Sequence, residues 1–396
     1  ASQRSEELVA QRTQALLEQA IEQRLAAMAK AQVLQIQREL ETPLQITADL
    51  ARLNAQLGLQ DANGSPLLSI SREELSALVR ATTEQNPKLL GTYIGWEANA
   101  FDASDDLYAG ETGNGYDGSG RFLPWWYRNA DGSLGVDALG TMESETLLPT
   151  GVREGEYYLC AKERKRSCVI DPAPYEVGGK TTMLASFTTP ILVNGQFMGI
   201  AGADLAVDFI QDLLRQADQQ LYEGAGEMIL IANNQRLVAS TRASDKLGNP
   251  ASDLLDSNEL ENLRNLQPGS IKYDIDHQAN PADSHIELLL SFTIGDTASQ
   301  WTLLLQMPLA TVMAELDTLR NALDEQQRSD ALNMTLVGLL IAAGGLLAVW
   351  LTGYGIAKPL REMVERLALV GRGVDRDAQL LIGEVIEQKH GANRPS

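Results

Sequence analysis

The chain has little of what catalysis is usually built from: among its 396 residues are three histidines and two cysteines. His277, His285 and His390 are scattered, and no nucleophile elbow, phosphate-binding loop or metal-ligand cluster occurs. Cys160 and Cys168 are too far apart for a CxxC-type metal site. The sequence is therefore read as that of a non-enzyme with no metal and no cofactor. Positive charge is also scarce, with 32 Lys and Arg against 53 Asp and Glu and a net charge of -21. Nucleic acid is excluded as a partner, because its phosphates would be repelled. Aromatic residues make up only 5% of the chain, so the cluster in "YDGSGRFLPWWYR", Tyr116 to Arg128, needs a physical reason.

What is present begins with an ordinary hydrophobic fraction, 44%, in a chain too long for one compact core. Ala331 to Ala357 carries no charged residue and exceeds the roughly 20 residues a helix needs to cross a bilayer. Asp330 bounds it on one side, and Lys358, Arg361, Arg366 and Arg372 follow on the other, which orients the C-terminal side to the cytoplasm. Trp350 and Tyr354 sit where interfacial aromatics are expected. Residues 1–330 are then expected outside the cytoplasm. The chain opens on "ASQRSEELVA", with neither initiator Met nor signal sequence, so a first membrane helix or signal anchor is expected ahead of it.

Residues 4–56 read as one long helix, since Leu17, Ile21, Leu25, Met28, Val33, Ile36 and Leu40 recur at helical spacing. Ser71 and Glu74 form a capping box for a second helix over 71–85. From Leu89 the period shortens to that of strands. "LLGTYIGWE", "GEYYLCAKE", "KTTMLASFTTPILV" and "GQFMGIAGADLA" read as strands, then "DFIQDLLRQADQQ" as a helix. A smaller strand set follows in "EMILIANNQRLVAST", "GSIKYDID", "HIELLLSFTI" and "WTLLLQMP", and a helix from Leu309 leads to the apolar segment. The expected division is a stalk helix 1–56, a first lobe 57–215, a second lobe 216–308, a helix 309–330, a membrane helix 331–354 and a tail 355–396. The eight-residue separation of Cys160 and Cys168 fits the two arms of a bridged hairpin, or a pair of unrelated thiols; a bridge would imply an oxidising compartment. "KERKR" (162–166) reads as the surface tip of that hairpin, and "DASDD" (102–106) as a solvated loop.

The order of elements, with "YIGW", "GRFLPWWYR", "DPAPYEVGGKTTMLASFTTPIL" and "GIAGADLAVDF", resembles the double-Cache sensor domains of bacterial methyl-accepting chemotaxis receptors. The resemblance covers nearly all of residues 1–330. "YGIAKPLREMVERLALVGRG" looks like the first HAMP helix, after which the sequence departs from the family and no output module follows. The resemblance implies an α/β fold: a long stalk helix carrying two PAS-like lobes with antiparallel sheets, then a transmembrane helix and a partial HAMP helix. It implies a homodimer in the inner membrane, with a periplasmic sensor that binds a small molecule and chemotaxis signalling proteins acting beyond the cytoplasmic end. Cache heads are shared among outputs, so a histidine kinase or diguanylate cyclase is the alternative.

In this family the membrane-distal lobe holds the ligand. The matching positions are Tyr116, Arg121, the pair Trp126 and Tyr127, and Asp204 at the end of "GIAGAD". Asp171 precedes Pro172, and Tyr175 stands where a second acid is expected. Phe122 and Leu123 are inserted before Pro124, as in receptors of this group that bind amines. Asp204 would meet a ligand ammonium, or cap the helix that follows it. Arg121 would hold a ligand carboxylate through paired hydrogen bonds, or pair with a nearby acid. Side chains alternate along an extended segment, so Trp126 is read as the ligand-facing ring, with Trp125 and Tyr127 packing or lining the rim. Tyr93 and Trp96 are read as floor of the pocket or as core. The two ligand classes that follow are an amino acid and a biogenic amine or polyamine.

Overall fold

The computed structural model describes residues 2–314 and the helical pair Gly344–Gly345. Of the described residues, 28–314 form one compact unit and 2–27 fall outside it. Helix α1, Ser2–Leu57, spans the expected stalk and carries Pro43 in its interior. Within the compact unit its buried residues Ala29, Val33, Ile36, Leu40 and Leu50 follow helical spacing. Helix α2, Arg72–Gln85, starts at the reciprocal capping box of Ser71 and Glu74. The helix from Leu309 is described only to Ala314. Residues 315–330, expected to continue that helix, the apolar segment 331–354 and the tail 355–396 lie outside the described residues, Gly344 and Gly345 excepted. Among the described residues no helix is long and apolar enough to cross a membrane.

The first sheet has six antiparallel strands in the order β3-β2-β1-β6-β5-β4. These are β1, Gly91–Trp96; β2, Pro124–Arg128; β3, Leu134–Ala138; β4, Cys168–Val177; β5, Lys180–Val193; and β6, Gln196–Ala206. Strands β5 and β6 meet at the Asn194–Gly195 turn, where both residues take the positive φ that a tight hairpin requires. One face of the sheet packs on α1 and α2 through Ile94, Trp96, Ile191 and Ala201. The other carries Tyr93 and Ile200 and packs on helix α3, Glu156–Arg164. That helix corrects the expectation of a strand over "GEYYLCAKE". The stretch contains no β-branched residue, and its Glu, Leu, Ala and Lys favour a helix, which packs Tyr157, Cys160 and Ala161 on the sheet.

Cys160 and Cys168 are disulfide-bonded, with their Cα atoms 6.3 Å apart. The bond joins α3 to the first residue of β4 rather than two hairpin arms, and "KERKR" is the end of α3 and its exit. Closing an eight-residue loop restricts the unfolded chain by roughly 2.5 kcal/mol. Reduction, or Cys160→Ser with Cys168→Ser, is expected to lower the melting temperature by about 5 °C, read by a thermal melt with and without reductant.

Helix α4, Val207–Gln220, leads to the second sheet, ordered β8-β7-β11-β10-β9. Its strands are β7, Glu227–Ile231; β8, Leu237–Ser240; β9, Ile271–Asp276; β10, His285–Thr293; and β11, Gln300–Pro308. Helix α5, Ser257–Asn265, begins at a capping box of Asp256 and Glu259 and covers this sheet through Leu263. Helix α1 touches both sheets. Gln37 Nε2 donates to the Thr293 carbonyl at 2.8 Å and Gly295 N–H to Glu41 at 3.0 Å. Further along, Thr47 Oγ1 lies 2.9 Å from Thr189 Oγ1.

Candidate functional site

The site is built across four strands by register. Asp204 on β6 stands opposite Gly91 of β1 and Ser186 of β5, and Gly91 stands opposite Tyr127 of β2. One row away, Gly202 stands opposite Tyr93 and Thr188, and Tyr93 opposite Trp125. Residues directly opposite share a face, so Asp204, Ser186, Thr188, Tyr93, Trp125 and Tyr127 all look toward α3. Two glycines clear the floor. A Cβ on Gly91 would come within 3.0 Å of Trp125 Nε1, and one on Gly202 within 2.0 Å of the Tyr93 ring. The indole thus crosses Gly91 to reach Asp204, and the phenol lies flat on β6.

Asp204 is 3% exposed. Its Oδ1 accepts from Ser186 Oγ at 2.7 Å and its Oδ2 from Trp125 Nε1 at 3.2 Å. Burial pushes its pKa up to about 7, against the lowering effect of those two hydrogen bonds. No cation among the described residues pairs with it. Around it stand Tyr93, Tyr157 of α3 and Tyr175 of β4. Tyr157 meets the other two rings edge-on, with centroids at 5.9 and 6.5 Å. The Tyr157 hydroxyl donates to the Gly140 carbonyl. The buried hydroxyls of Tyr93, Tyr175 and Thr188 make no hydrogen bond of normal geometry. Burial raises the pKa of Tyr93, Tyr157 and Tyr175, so all three are neutral at physiological pH. An uncompensated carboxylate with idle hydroxyls, walled by π-faces, is the environment that a ligand cation relieves.

The residues expected from the sequence divide between this face and others. Asp204, Tyr175 and Trp125 meet, and Tyr127 flanks them with its ring 4.9 Å from that of Trp125. Trp126 faces the opposite way, where its Nε1 donates to Ser76 at 2.9 Å and Arg80 lies over its ring. The expected order of the two tryptophans is thereby reversed. Trp96 is core, donating to Asn54 of α1 at 3.0 Å. Its parity differs from that of Tyr93, so the two cannot share a floor. Asp204 does not cap α4: the cap is Ala206, with no side-chain hydrogen bond.

Tyr116 stacks on Tyr108 beside Arg72, the first residue of α2. Arg72 is 1% exposed and donates to Asp102, Asp105 and the Gly120 carbonyl at 2.6–2.8 Å. "DASDD" is therefore no solvated loop, since two of its acids neutralise a buried guanidinium. Arg121 spends its donors on the Trp96 carbonyl, Glu143 and Tyr158, at 3.0–3.2 Å. Asp171 joins the lobes. It accepts from Trp301 Nε1 of β11 at 3.1 Å and from Asn234 N–H, after β7, at 2.9 Å. Sequence reasoning missed Tyr157, Ser186 and Thr188. The signal for the last two was present, because both share the strand parity that puts a polar residue opposite "GAD".

No family model matches the chain. The fold is that of extracellular sensor domains of chemoreceptors and histidine kinases. The extracellular domain of mmHK1S-Z2, named as a putative histidine kinase, superposes with a TM-score of 0.57 at 22% identity, over 74% of this chain and 99% of that one. The periplasmic sensory domain of the Campylobacter jejuni chemoreceptor Tlp1 gives 0.53 at 15% identity, over 74% and 96%. In sequence the chain is similar to methyl-accepting chemotaxis protein TlpQ of Pseudomonas aeruginosa, 27% identical over 377 residues. That match takes in 94% of this chain and 51% of the relative, so the chain spans about half the length of the curated relative it matches. The resemblance read from the sequence agrees with these findings.

Proposed function

We propose that the chain is the sensing portion of a bacterial inner-membrane chemoreceptor and that its first lobe binds a small organic amine on Asp204. The observation that carries this is the buried carboxylate with no cation, enclosed by Trp125, Tyr93, Tyr157 and Tyr175. A ligand ammonium would pair with Asp204 while the rings receive its positive edge. The idle hydroxyls of Tyr93, Tyr175 and Thr188 would accept its remaining N–H groups. Arg121 has its donors engaged within the chain, which favours an amine over an amino acid. Residues 1–330 would be periplasmic and the stalk helices would pair in a homodimer. Binding would bias the packing of α1 and the helix from Leu309, and the shift would pass through segment 331–354 toward a HAMP helix and the chemotaxis machinery. The protein would sense, not catalyse. The likeness to the mmHK1S-Z2 domain supports a second reading, a histidine kinase with the same head.

The test is calorimetry and thermal shift on the purified chain with primary amines, amino acids and small carboxylates. Amines lacking a carboxylate are expected to bind and, at a hundredfold excess over Kd, to add roughly 2.7 kcal/mol of stability. Arg121→Ala should leave amine affinity within about threefold. A loss of a hundredfold or more, confined to ligands that carry a carboxylate, would restore the amino-acid reading.

A further inference from the structure

A second buried carboxylate lies in the other lobe, at the opposite end of α4. Asp218, in the last turn of that helix, is 5% exposed, and its Oδ1 has no hydrogen-bond partner. It lines a cavity of about 340 Å³ between α4 and the end of β8, with Gln211, Arg215, Gln219, Ser240, Thr241 and Ser244. A water molecule takes about 30 Å³, and pockets for small organic ligands begin near 300 Å³. The cavity therefore has room for several heavy atoms. Its walls are fixed: the Gln211 amide donates to the Ser240 carbonyl at 2.7 Å and accepts from Ser240 N–H at 2.8 Å, pinning α4 to β8. Ser240 Oγ accepts from the backbone N–H groups of Arg242 and Ala243, so its hydroxyl proton is left to donate. Of the two cations here, Arg215 lines the cavity and pairs at its exposed side with Asp212 at 2.9 Å, and Arg242 lies 3.6 Å from Glu227.

We propose that this cavity is a separate binding site for a small organic cation bearing a primary ammonium, which pairs with Asp218, while the Ser240 hydroxyl is free to donate to a polar group elsewhere on the ligand. Burial, then the charge of Glu227, raises the Asp218 pKa to about 6, as expected of a carboxylate awaiting a counter-charge. An anion is disfavoured, because it would have to face the buried, unpaired carboxylate of Asp218. The proposal is independent of the first lobe, since none of these residues belongs to the Asp204 site.

The test is calorimetry on the full chain in detergent micelles, with ethanolammonium and butylammonium chloride as probes and ethylene glycol, ammonium chloride and potassium chloride as controls. With Asp204→Asn in the background, one site per chain is expected to remain for at least one of the two amines. Adding Asp218→Asn should weaken it by about tenfold or more. The isosteric change removes a buried charge, so thermal melts should show both variants folded at least as stably as the parent. No binding of either amine in the Asp204→Asn chain, or residual binding that Asp218→Asn leaves unchanged, overturns the proposal. Equal binding of ammonium or potassium chloride alone overturns the assignment to an organic ligand. Loss of all binding with Asp218→Asn and none with Asp204→Asn supports this site and removes the reading of the first lobe.

Discussion

Asp204→Asn is expected to weaken amine binding in the first lobe by about a hundredfold or more, with no loss of fold. The carboxylate is buried, bonded only to Ser186 and Trp125, and held at a pKa near 7. An acid whose pKa is higher folded than unfolded stabilises the fold at low pH, where both states are protonated. That contribution is lost as pH rises from about 4 through 7, on the order of 4 kcal/mol in the limit. Ligand-free chain should therefore melt at higher temperature at pH 5 than at pH 8, and Asp204→Asn should flatten that part of the profile. An ammonium selects the ionised form, so affinity runs the other way, roughly a hundredfold weaker at pH 5 than at pH 8. Tyr93, Tyr157 and Tyr175 face the same group and stay neutral over this range. Calorimetry at the two pH values on parent and variant checks both slopes; a pH-independent affinity that survives in the variant sinks the assignment.

Arg72→Met should be the most damaging of the substitutions considered, costing about 3–5 kcal/mol and lowering the melting temperature by about 10 °C. The guanidinium is enclosed by Tyr108, with its carbon 4.2 Å from the ring centroid, and by Tyr116 and Phe122. Burial opposes its charge, but the bonds to Asp102 and Asp105 outweigh this and raise its pKa. Removing it strands Asp105, which is 4% exposed. It also frees the loop whose Gly120 sits at φ +67°, where a Cβ would lie 1.9 Å from the Asp105 carbonyl oxygen. Because the penalty is an uncompensated charge, Asp105→Asn in the Arg72→Met background should recover part of it. Denaturation of the single and double variants measures the coupling. If the two losses simply add, the buried pair is not what holds this loop.

Much of this architecture is local and so legible in the residues. The stalk helix follows from its 3.6-residue period, α2 from the Ser71–Glu74 box, and the β5–β6 hairpin from Asn194–Gly195. Asp204 stands out because a carboxylate at the end of the apolar run "GIAGA" must answer to some partner. The aromatic density of "GRFLPWWYR" likewise marks a wall of something. Alternation then shows that Trp125 and Trp126 face opposite ways, but not which of them faces the site. That depends on which side of the sheet α1 and α2 cover and which side receives α3, a matter of long-range packing. The same ambiguity let "GEYYLCAKE" read as a strand, since a tyrosine pair suits either element until a partner surface selects one. Arg72 and Asp105 are 33 positions apart, and Asp171 and Trp301 are 130 apart. No spacing rule links them, and only the folded chain decides that these charges meet each other and not a ligand. The sequence by itself determined the elements and the need for a buried acid; tertiary structure decided which face of the sheet that acid shares, because a strand has two faces and packing chooses between them.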